Sequence, residues 1–289
     1  ICTNRQSNIN LNTLIIDDEA DNASLNTASD KDNEYAASSI YKSIKGLRSQ
    51  LSCHSVVQYT ATPQSLLLIS KEDHYSPEWA RLISPGEDYV GAQDLFSEEG
   101  DFYNTVPDEE VSSSKNISNL SLPKSFKSAL KSYLIASAQR LATPKYFHEE
   151  NSTFMVHPDI ANPTHKHWEN IIKDEISLWR QDIEDNLDKF LEDNKLGFLE
   201  QYESIRKSNL KYKNHLSPFE DLYYRYIPDI IMELVVSQVN QTNNNINWDI
   251  PHNILVGGYM LDRGYVVRGL VTTYMPRGKG GGMIDSLQQ

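Results

Sequence analysis

The stretch LIIDDEADNAS, Leu14 to Ser24, runs from three apolar residues straight into four acids within five positions. An apolar run without polar alternation is typical of a buried strand in a parallel sheet that is covered on both faces. Carboxylates this close together repel one another and must be held by something positive. In α/β proteins, ligands bind at the carboxyl ends of parallel strands. The stretch therefore predicts an α/β fold whose first sheet presents a cation-binding edge.

The rest of the chain alternates short apolar strands with helical segments. Further strands are predicted at His54–Tyr59, Ser152–His157, Asn253–Gly257 and Leu270–Met275, and helices at 34–49, Lys124–Leu141, His167–Asn194 and about 196–240. Strands separated by helices indicate parallel sheets. The segment from about 158 to 247 is predicted to be a nearly all-helical insertion in the second sheet.

The bulk composition limits the class of protein. The chain has 289 residues and 39% hydrophobic content, which is enough for two compact domains or one large one. No apolar run approaches the roughly 20 residues that a membrane helix needs. A membrane partner is therefore not expected. Two cysteines give no disulfide framework, so a reducing, cytoplasmic setting is expected. The chain starts at Ile1 rather than Met, which suggests a piece of something longer.

Charge is unevenly distributed along the chain. The net charge of −13 argues against a protein that simply coats nucleic acid. Residues 111–147 nevertheless carry six bases and no acid. Lys124, Lys127 and Lys131 in this segment are therefore candidate contacts to nucleic-acid phosphate. A solvated helix face is the alternative interpretation of the same pattern.

The acids of the opening stretch match the second half of a nucleoside-triphosphatase site, the Walker B arrangement. Asp18 is predicted to orient Mg²⁺, and Glu19 to align and deprotonate the attacking water. Asp21 is predicted to couple to other motifs rather than to touch the metal. Asp17 is an additional acid. It would either contact the metal-binding residues without touching the metal or cap a helix. An acid-rich helix N-terminus, favoured by the helix dipole, is the alternative interpretation.

A second motif, YTATP, ends the second predicted strand. It resembles the Ser/Thr-Ala-Thr element of helicase-type ATPases, in which the hydroxyls hydrogen-bond the second Asp of the DEAD core. Thr60 and Thr62 supply such hydroxyls without bulk, so both are predicted to bond Asp21.

A third element begins where the fourth predicted strand ends. Gly257 and Gly258 permit close approach of the backbone to phosphate or ribose, and Arg263-Gly264 follows shortly. Arg263 and Arg277 are candidate contacts to nucleotide or nucleic-acid phosphate. A glycine loop with surface arginines is the alternative.

In this order the motifs resemble superfamily-two helicase-like ATPases. More closely, they resemble the Z1 (Z-one) domain family, which is described as endonuclease-like and is found in bacterial helicase-like proteins of restriction and phage defence. The resemblance is carried by IIDDEADNASLNT (15–27), YTATP (59–63), YVGAQDLF (89–96), LPKSFKSALKSYLIASAQR (122–140), STFMVHPD (152–159), GGYMLDRGYVVRGLVTTYMPR (257–277) and DSLQQ (285–289).

The resemblance implies parts of two RecA-like lobes that bind ATP and Mg²⁺ and act on DNA, with defence-system proteins as further partners. Residues 1–110 would form the second half of lobe one. Residues 111–289 would form lobe two, with the helical insertion at about 158–247. Gln289 would open the last helicase motif and contact the nucleotide.

The chain departs from the helicase pattern in two ways. No G-x-x-x-x-G-K-[ST] phosphate loop occurs, so these residues alone are expected to hydrolyse little or no ATP. Tyr265 and Val266 stand where classical DEAD helicases have an Asp after the Arg-Gly pair, which leaves a ribose contact there without support.

Other functions stay open at this point. One is a catalytically silent module that binds DNA or a protein through the basic segment. Another is a metal-dependent endonuclease, because Asp159 and Asp193-Asn194-Lys195 match the residue pattern of a PD-(D/E)xK site. A zinc site would draw on three histidines but has no fourth ligand at convincing spacing; they are His157, His165 and His167.

Overall fold

The computed structural model describes most of the chain. The described residues are 9–21, 39–87, 89, 91, 102–115, 122–144, 151–158, 162–208, 215–240, 246–258 and 266–276. The chain divides into two compact units, Ile1–Glu87 and Asp88–Gln289, and each contains one parallel sheet. Within the described part, no helix is both long and apolar enough to cross a membrane.

The first unit is built on two parallel strands, β1 (Ile9–Asp17) and β2 (Leu51–Gln58). Helix α1 (Ser39–Gln50) lies between them in the chain, and a short helix, α2 (Gln64–Leu67), follows β2. The two strands predicted from their apolar runs are confirmed. The parallel pairing brings their carboxyl ends to the same edge of the sheet.

The prediction that β1 is buried on both faces is wrong. Alternate strand residues point to opposite faces, and on one face Leu14 and Ile16 are 59% and 62% exposed. On the other face His54 of β2 pairs with Thr13, and its Nε2 accepts a hydrogen bond from Arg48 Nε of α1 at 3.3 Å. Helix α1 therefore covers one face, and the apolar side chains of β1 on the opposite face are largely accessible to solvent.

The second unit contains a four-stranded sheet in the order β4-β5-β3-β6, with every pair parallel. Its strands are β3 (Ser152–Val156), β4 (Val235–Val239), β5 (His252–Gly257) and β6 (Leu270–Tyr274), and its helices are α3 (Asp108–Lys115), α4 (Lys124–Ala142), α5 (Asn162–Ser208) and α6 (Phe219–Glu233). The predicted strands β3, β5 and β6 are confirmed, and so is an α/β fold with parallel sheets. That the sheets belong to RecA-like lobes stays a prediction.

The main core lies between this sheet and helices α4, α5 and α6. Phe126 of α4 stacks on Phe154 of β3 with 5.5 Å between ring centroids, and it meets the edge of Trp168 of α5 at the same distance. The buried Tyr133 hydroxyl donates to the main-chain oxygen of Ser152 at 2.8 Å. These contacts fix β3 at the centre of the sheet and so fix the edge where the strands end.

Strand β4 corrects the prediction that helices continue to about residue 240. Helix α6 ends at Glu233, and Leu234 is extended, with φ −62° and ψ 126°. The next five residues, VVSQV, pair in parallel with β5. A short apolar run cannot be separated from a buried helix by periodicity alone, although its β-branched valines favour a pleated sheet. The predicted insertion therefore contains a strand as well as helices.

Helix α5 folds back on itself at a residue inside His167–Asn194, where the sequence predicted an uninterrupted helix. The Trp179 ring centroid lies 6.3 Å from that of Phe190 and 6.2 Å from that of Phe198. A straight helix at about 1.5 Å per residue would hold Trp179 and Phe198 roughly 28 Å apart. The chain reverses at Asn186, which has φ −164° and ψ 93°. Its Oδ1 accepts the Lys189 N–H at 3.0 Å, so Asn186 acts as the N-cap of the returning part.

A buried histidine is expected to make the second unit sensitive to acid. His252 of β5 is 2% exposed, and burial together with the nearby charge of Arg140 lowers its pKa from 6.5 to about 4. The unfolded chain binds the proton near pH 6.5 and the folded chain does not, so the free energy of unfolding falls as the pH drops from 6.5 to 4. At full effect the loss approaches about 3 kcal/mol.

Denaturant unfolding at several pH values between 7 and 4 measures this loss. His252→Gln removes the titrating group, and the variant is expected to lose less stability over the same interval than the wild type. An identical pH dependence in the variant would assign the acid sensitivity to other residues.

Candidate functional site

The carboxyl ends of β1 and β2 are tied together by their backbones. Asp17 and Gln58 are register partners, and the Tyr59 N–H donates to the main-chain oxygen of Asp17 at 2.8 Å. The Ala20 N–H then donates to the main-chain oxygen of Tyr59 at 3.0 Å. The turn that follows β1 therefore lies directly beside the TATP segment that follows β2.

Two threonine hydroxyls hold the Asp21 carboxylate at this edge. Thr60 Oγ1 donates to Asp21 Oδ1 at 2.6 Å, and Thr62 Oγ1 donates to Asp21 Oδ2 at 2.5 Å. The Thr62 N–H also donates to Thr60 Oγ1 at 2.9 Å, which orients the first hydroxyl. Hydrogen bonds to a charged group contribute about 1.5–3 kcal/mol each. The structure thus places both oxygens of Asp21 on the two hydroxyls that the sequence pattern singled out.

Asp18 and Glu19 form the exposed turn between β1 and Asp21. The Glu19 N–H donates to Asp18 Oδ1 at 3.0 Å. Glu19 has φ 53°, a left-handed conformation that residues other than glycine rarely adopt. Such a conformation costs about 1–3 kcal/mol and persists where the surroundings fix it. Here β1 fixes one end of the turn, and the bonds to Asp21 fix the other.

The chemistry of this turn suits a magnesium ion that arrives with a nucleotide. Mg²⁺ takes oxygen ligands, keeps several waters, and is commonly bound by one or two carboxylates plus the phosphates of the substrate. Asp18 offers an exposed carboxylate at a strand end, which is such a ligand. Glu19, also exposed, lies next to it in the chain.

The residues predicted from the late strands belong to the second unit. Gly257 ends β5 beside Val239 of β4, and both Gly257 and Gly258 are buried. Their position at the carboxyl edge of the second sheet is where a parallel sheet binds ligands. The remaining candidates of this group lie outside the described residues: Arg263, Gly264, Arg277 and Gln289.

The three lysines of the basic segment have different surroundings. Lys127 Nζ pairs with Glu175 Oε1 of α5 at 2.8 Å. Lys131 Nζ lies 5.5 Å from the centroid of the Phe198 ring, and burial, followed by the charge of Lys127, lowers the pKa of Lys131. Lys124, in contrast, is exposed at the start of α4. Helix α5 therefore engages two of these lysines, whereas the side chain of Lys124 is open to solvent.

The nuclease and zinc hypotheses gain no geometric support. Asp193 and Lys195 lie inside α5 rather than on a strand, and Lys195 Nζ is 5.2 Å from the centroid of the Tyr224 ring. Asp159 lies outside the described residues. In the part of the chain that the structure describes, no group of three or more His, Cys, Asp or Glu is arranged to hold a metal ion.

Sequence reasoning missed the residues that pack under the first sheet near this turn. The Tyr41 hydroxyl of α1 donates to Asp73 Oδ1 at 3.0 Å, and the same oxygen accepts the Tyr75 N–H at 2.8 Å. The two tyrosine rings lie 5.2 Å apart. Neither the motif nor the periodicity of the chain signals the contacts of Tyr41, because Asp73 and Tyr75 follow it by more than 30 positions.

Comparison with known proteins bears on the second unit. The model of the Z1 domain family matches residues 125–289, which is more than half of the chain. The matched range begins within α4 and includes the whole second sheet, while the DEAD and TATP residues lie outside it. No curated protein and no solved structure gives a significant match.

Proposed function

The chain belongs to the Z1 domain family, and on that premise we propose that it carries the nucleotide-hydrolysing core of a helicase-like, DNA-acting ATPase of restriction or phage defence. The hydrolytic residues of this proposal lie in the first unit, at the carboxyl edge of β1 and β2. Gly257 and Gly258 are proposed separately, as a phosphate contact at the carboxyl edge of the sheet of the second unit.

The observation that carries the proposal is the Asp21 carboxylate between two hydroxyls. A surface turn rich in acids needs no such partners, because water satisfies exposed carboxylates at little cost. Here Thr60 and Thr62 come from the segment after β2, 39 and 41 residues away, and each bonds a different oxygen of Asp21. Such a link joins the turn after β1 to the segment after β2, as coupling between hydrolysis and motion requires.

Each residue of the turn has a role that follows from its position. Bound Mg²⁺–ATP would supply the phosphoanhydride and the charge that stabilises its phosphates. Asp18 would hold the ion through its carboxylate. Glu19 would orient the attacking water and accept its proton. Asp21 would transmit the state of the site to the TATP segment through Thr60 and Thr62.

DNA is the proposed partner on the basis of the family resemblance. Among the lysines considered, Lys124 suits a phosphate contact because its side chain is exposed. Lys127 and Lys131 suit it less, since α5 supplies an ion pair to one and an aromatic ring to the other. A protein partner from a defence system is part of the same proposal.

Removing both hydroxyls tests the coupling. Thr60→Val with Thr62→Val keeps the volume of both side chains but leaves Asp21 without these two donors. DNA-stimulated ATP turnover of the full-length protein is expected to fall about tenfold, the effect of roughly 1.4 kcal/mol on the barrier. Steady-state hydrolysis with and without DNA measures it.

The matched control is Thr105→Val, which makes the same chemical change at an exposed threonine. It is expected to leave the DNA-stimulated rate unchanged. Full stimulation in the double variant would contradict the proposed role of Asp21. No hydrolysis by the wild-type protein, with any DNA and Mg²⁺, would contradict the proposal as a whole.

A further inference from the structure

Two polar side chains of the first unit are buried without a hydrogen-bond partner among the described residues. The Tyr75 hydroxyl and the Gln58 side-chain nitrogen are both shielded from solvent, and neither has a partner among the described residues. Tyr75 is 3% exposed. A buried polar group that lacks a partner destabilises the folded protein, because its lost hydration is not replaced. Native proteins rarely keep such groups without a reason, so the pair calls for an explanation.

Gln58 shares a sheet face with the carboxylate of Asp17, and the ring of Tyr75 packs against the helix that covers this face. Gln58 is the register partner of Asp17, so their side chains share one face at the carboxyl end of the sheet. That face is covered by α1, whose Tyr41 ring lies 5.2 Å from the Tyr75 ring. Asp17 Oδ2 is likewise shielded from solvent. Two donors and one acidic oxygen are therefore enclosed on the inner face of the sheet, one residue before Asp18.

Charge and protonation are consistent with a donor role for Tyr75. Burial, followed by the negative charge of Asp17, raises the pKa of Tyr75 to about 12. The hydroxyl therefore keeps its proton at neutral pH. The ring itself is held in place, because its main-chain N–H donates to Asp73 Oδ1 at 2.8 Å.

We propose that Tyr75 is a positioning residue, whose hydroxyl donates, together with the Gln58 amide, to the Asp17 carboxylate in the nucleotide-bound state. This inference rests on the proposed function. Asp17 is the last residue of β1, so fixing its side chain fixes the strand end from which Asp18 and Glu19 extend. The unpaired donors lower the stability of the free protein. They form hydrogen bonds to Asp17 when nucleotide is bound, as expected where function and stability compete.

Tyr75→Phe in the full-length protein tests this inference. It removes one unpaired hydroxyl and no hydrogen bond of the free protein, so its melting temperature is expected to equal or exceed that of the wild type. Its kcat for Mg²⁺–ATP is expected to fall about tenfold with KM little changed. Binding of a Mg²⁺–nucleotide analogue is expected to raise its melting temperature by less than it raises that of the wild type.

Tyr41→Phe is the matched control, since it removes a hydroxyl that is already bonded to Asp73. It is expected to lower the melting temperature and to leave kcat, measured well below that temperature, within about twofold. Gln58→Met is the second variant, which removes the other unpaired donor at similar volume. It is expected to lower kcat as Tyr75→Phe does.

The outcomes separate this inference from the proposed function. A clear fall in the melting temperature of Tyr75→Phe would show a structural hydroxyl and overturn the inference. So would unchanged kcat in both Tyr75→Phe and Gln58→Met, provided that Glu19→Gln is inactive; the proposed function then stands. Normal turnover in Glu19→Gln would overturn the proposed function and the inference together.

Discussion

Glu19→Gln in the full-length protein is expected to lower ATP turnover at least about 100-fold, the usual contribution of a positioned general base. The amide keeps the size of the side chain and still hydrogen-bonds a water molecule, but it cannot accept the proton. Asp18 is unchanged in the variant, so the affinity for Mg²⁺–ATP is expected to stay within a few-fold of the wild type. Steady-state hydrolysis and an equilibrium nucleotide titration measure the two quantities.

The backbone at Glu19 makes this substitution a clean one. Glutamine meets the same steric cost as glutamate at φ 53°, so the strain of the turn is the same in both proteins. The matched control is Glu72→Gln, which neutralises an exposed acid of the same unit outside the proposed site. The control is expected to hydrolyse ATP at the wild-type rate. If Glu19→Gln did so too, the base would have to be another residue.

Gly269→Ala is expected to lower the free energy of unfolding of the second unit by about 3 kcal/mol or more. Gly269 has φ +59°, and a Cβ at this position would overlap the main-chain oxygen of Asn151. The loop cannot move aside easily, because the Thr153 N–H donates to Gly269 O at 2.8 Å and the Thr153 hydroxyl donates to Arg268 O at 2.7 Å. Calorimetry or denaturant unfolding of the chain measures the loss.

Gly197→Ala is the matched control for this prediction. Gly197 lies inside α5 of the same unit, and a Cβ there would meet the flexible end of the Lys131 side chain, which can turn away. Alanine also favours a helix over glycine by about 1 kcal/mol. The control is therefore expected to change stability by less than about 1 kcal/mol in either direction. A small effect of Gly269→Ala would mean that β3 and the loop before β6 can separate.

Much of the fold was predictable from short stretches of sequence. The runs NTLII, STFMVH and NILVG are apolar over several residues, and each lies in a strand where the pattern placed it. The pairing of DEAD with TATP was implied by the resemblance to helicase-type ATPases, and the parallel strands β1 and β2 bring the two motifs together. Patterns of this kind depend on neighbours in the chain, which a sequence displays directly.

The errors have a common physical origin in contacts between distant residues. At Asn186 the side chain caps the returning part of the helix through a local hydrogen bond. The reversed direction is stabilised by packing of the Trp179 ring on the Phe198 ring, which are distant in the chain. The apolar run of β4 is compatible with a helix or a strand, and its pairing with β5 decides for the strand. Lys127 stays a candidate phosphate contact, but its ion pair with Glu175, 48 residues away, depends on a tertiary contact that the sequence does not display.

Local pattern thus decided where the strands begin, which acids end β1, and that two threonines would meet Asp21. Tertiary packing decided which side chains are open to solvent and which lysines already have partners. It also decided that the Tyr75 hydroxyl and the Gln58 side-chain nitrogen are buried. The difference follows from the range of the forces involved. Propensity and periodicity act over a few residues, whereas burial and hydrogen-bond satisfaction depend on every element that packs nearby.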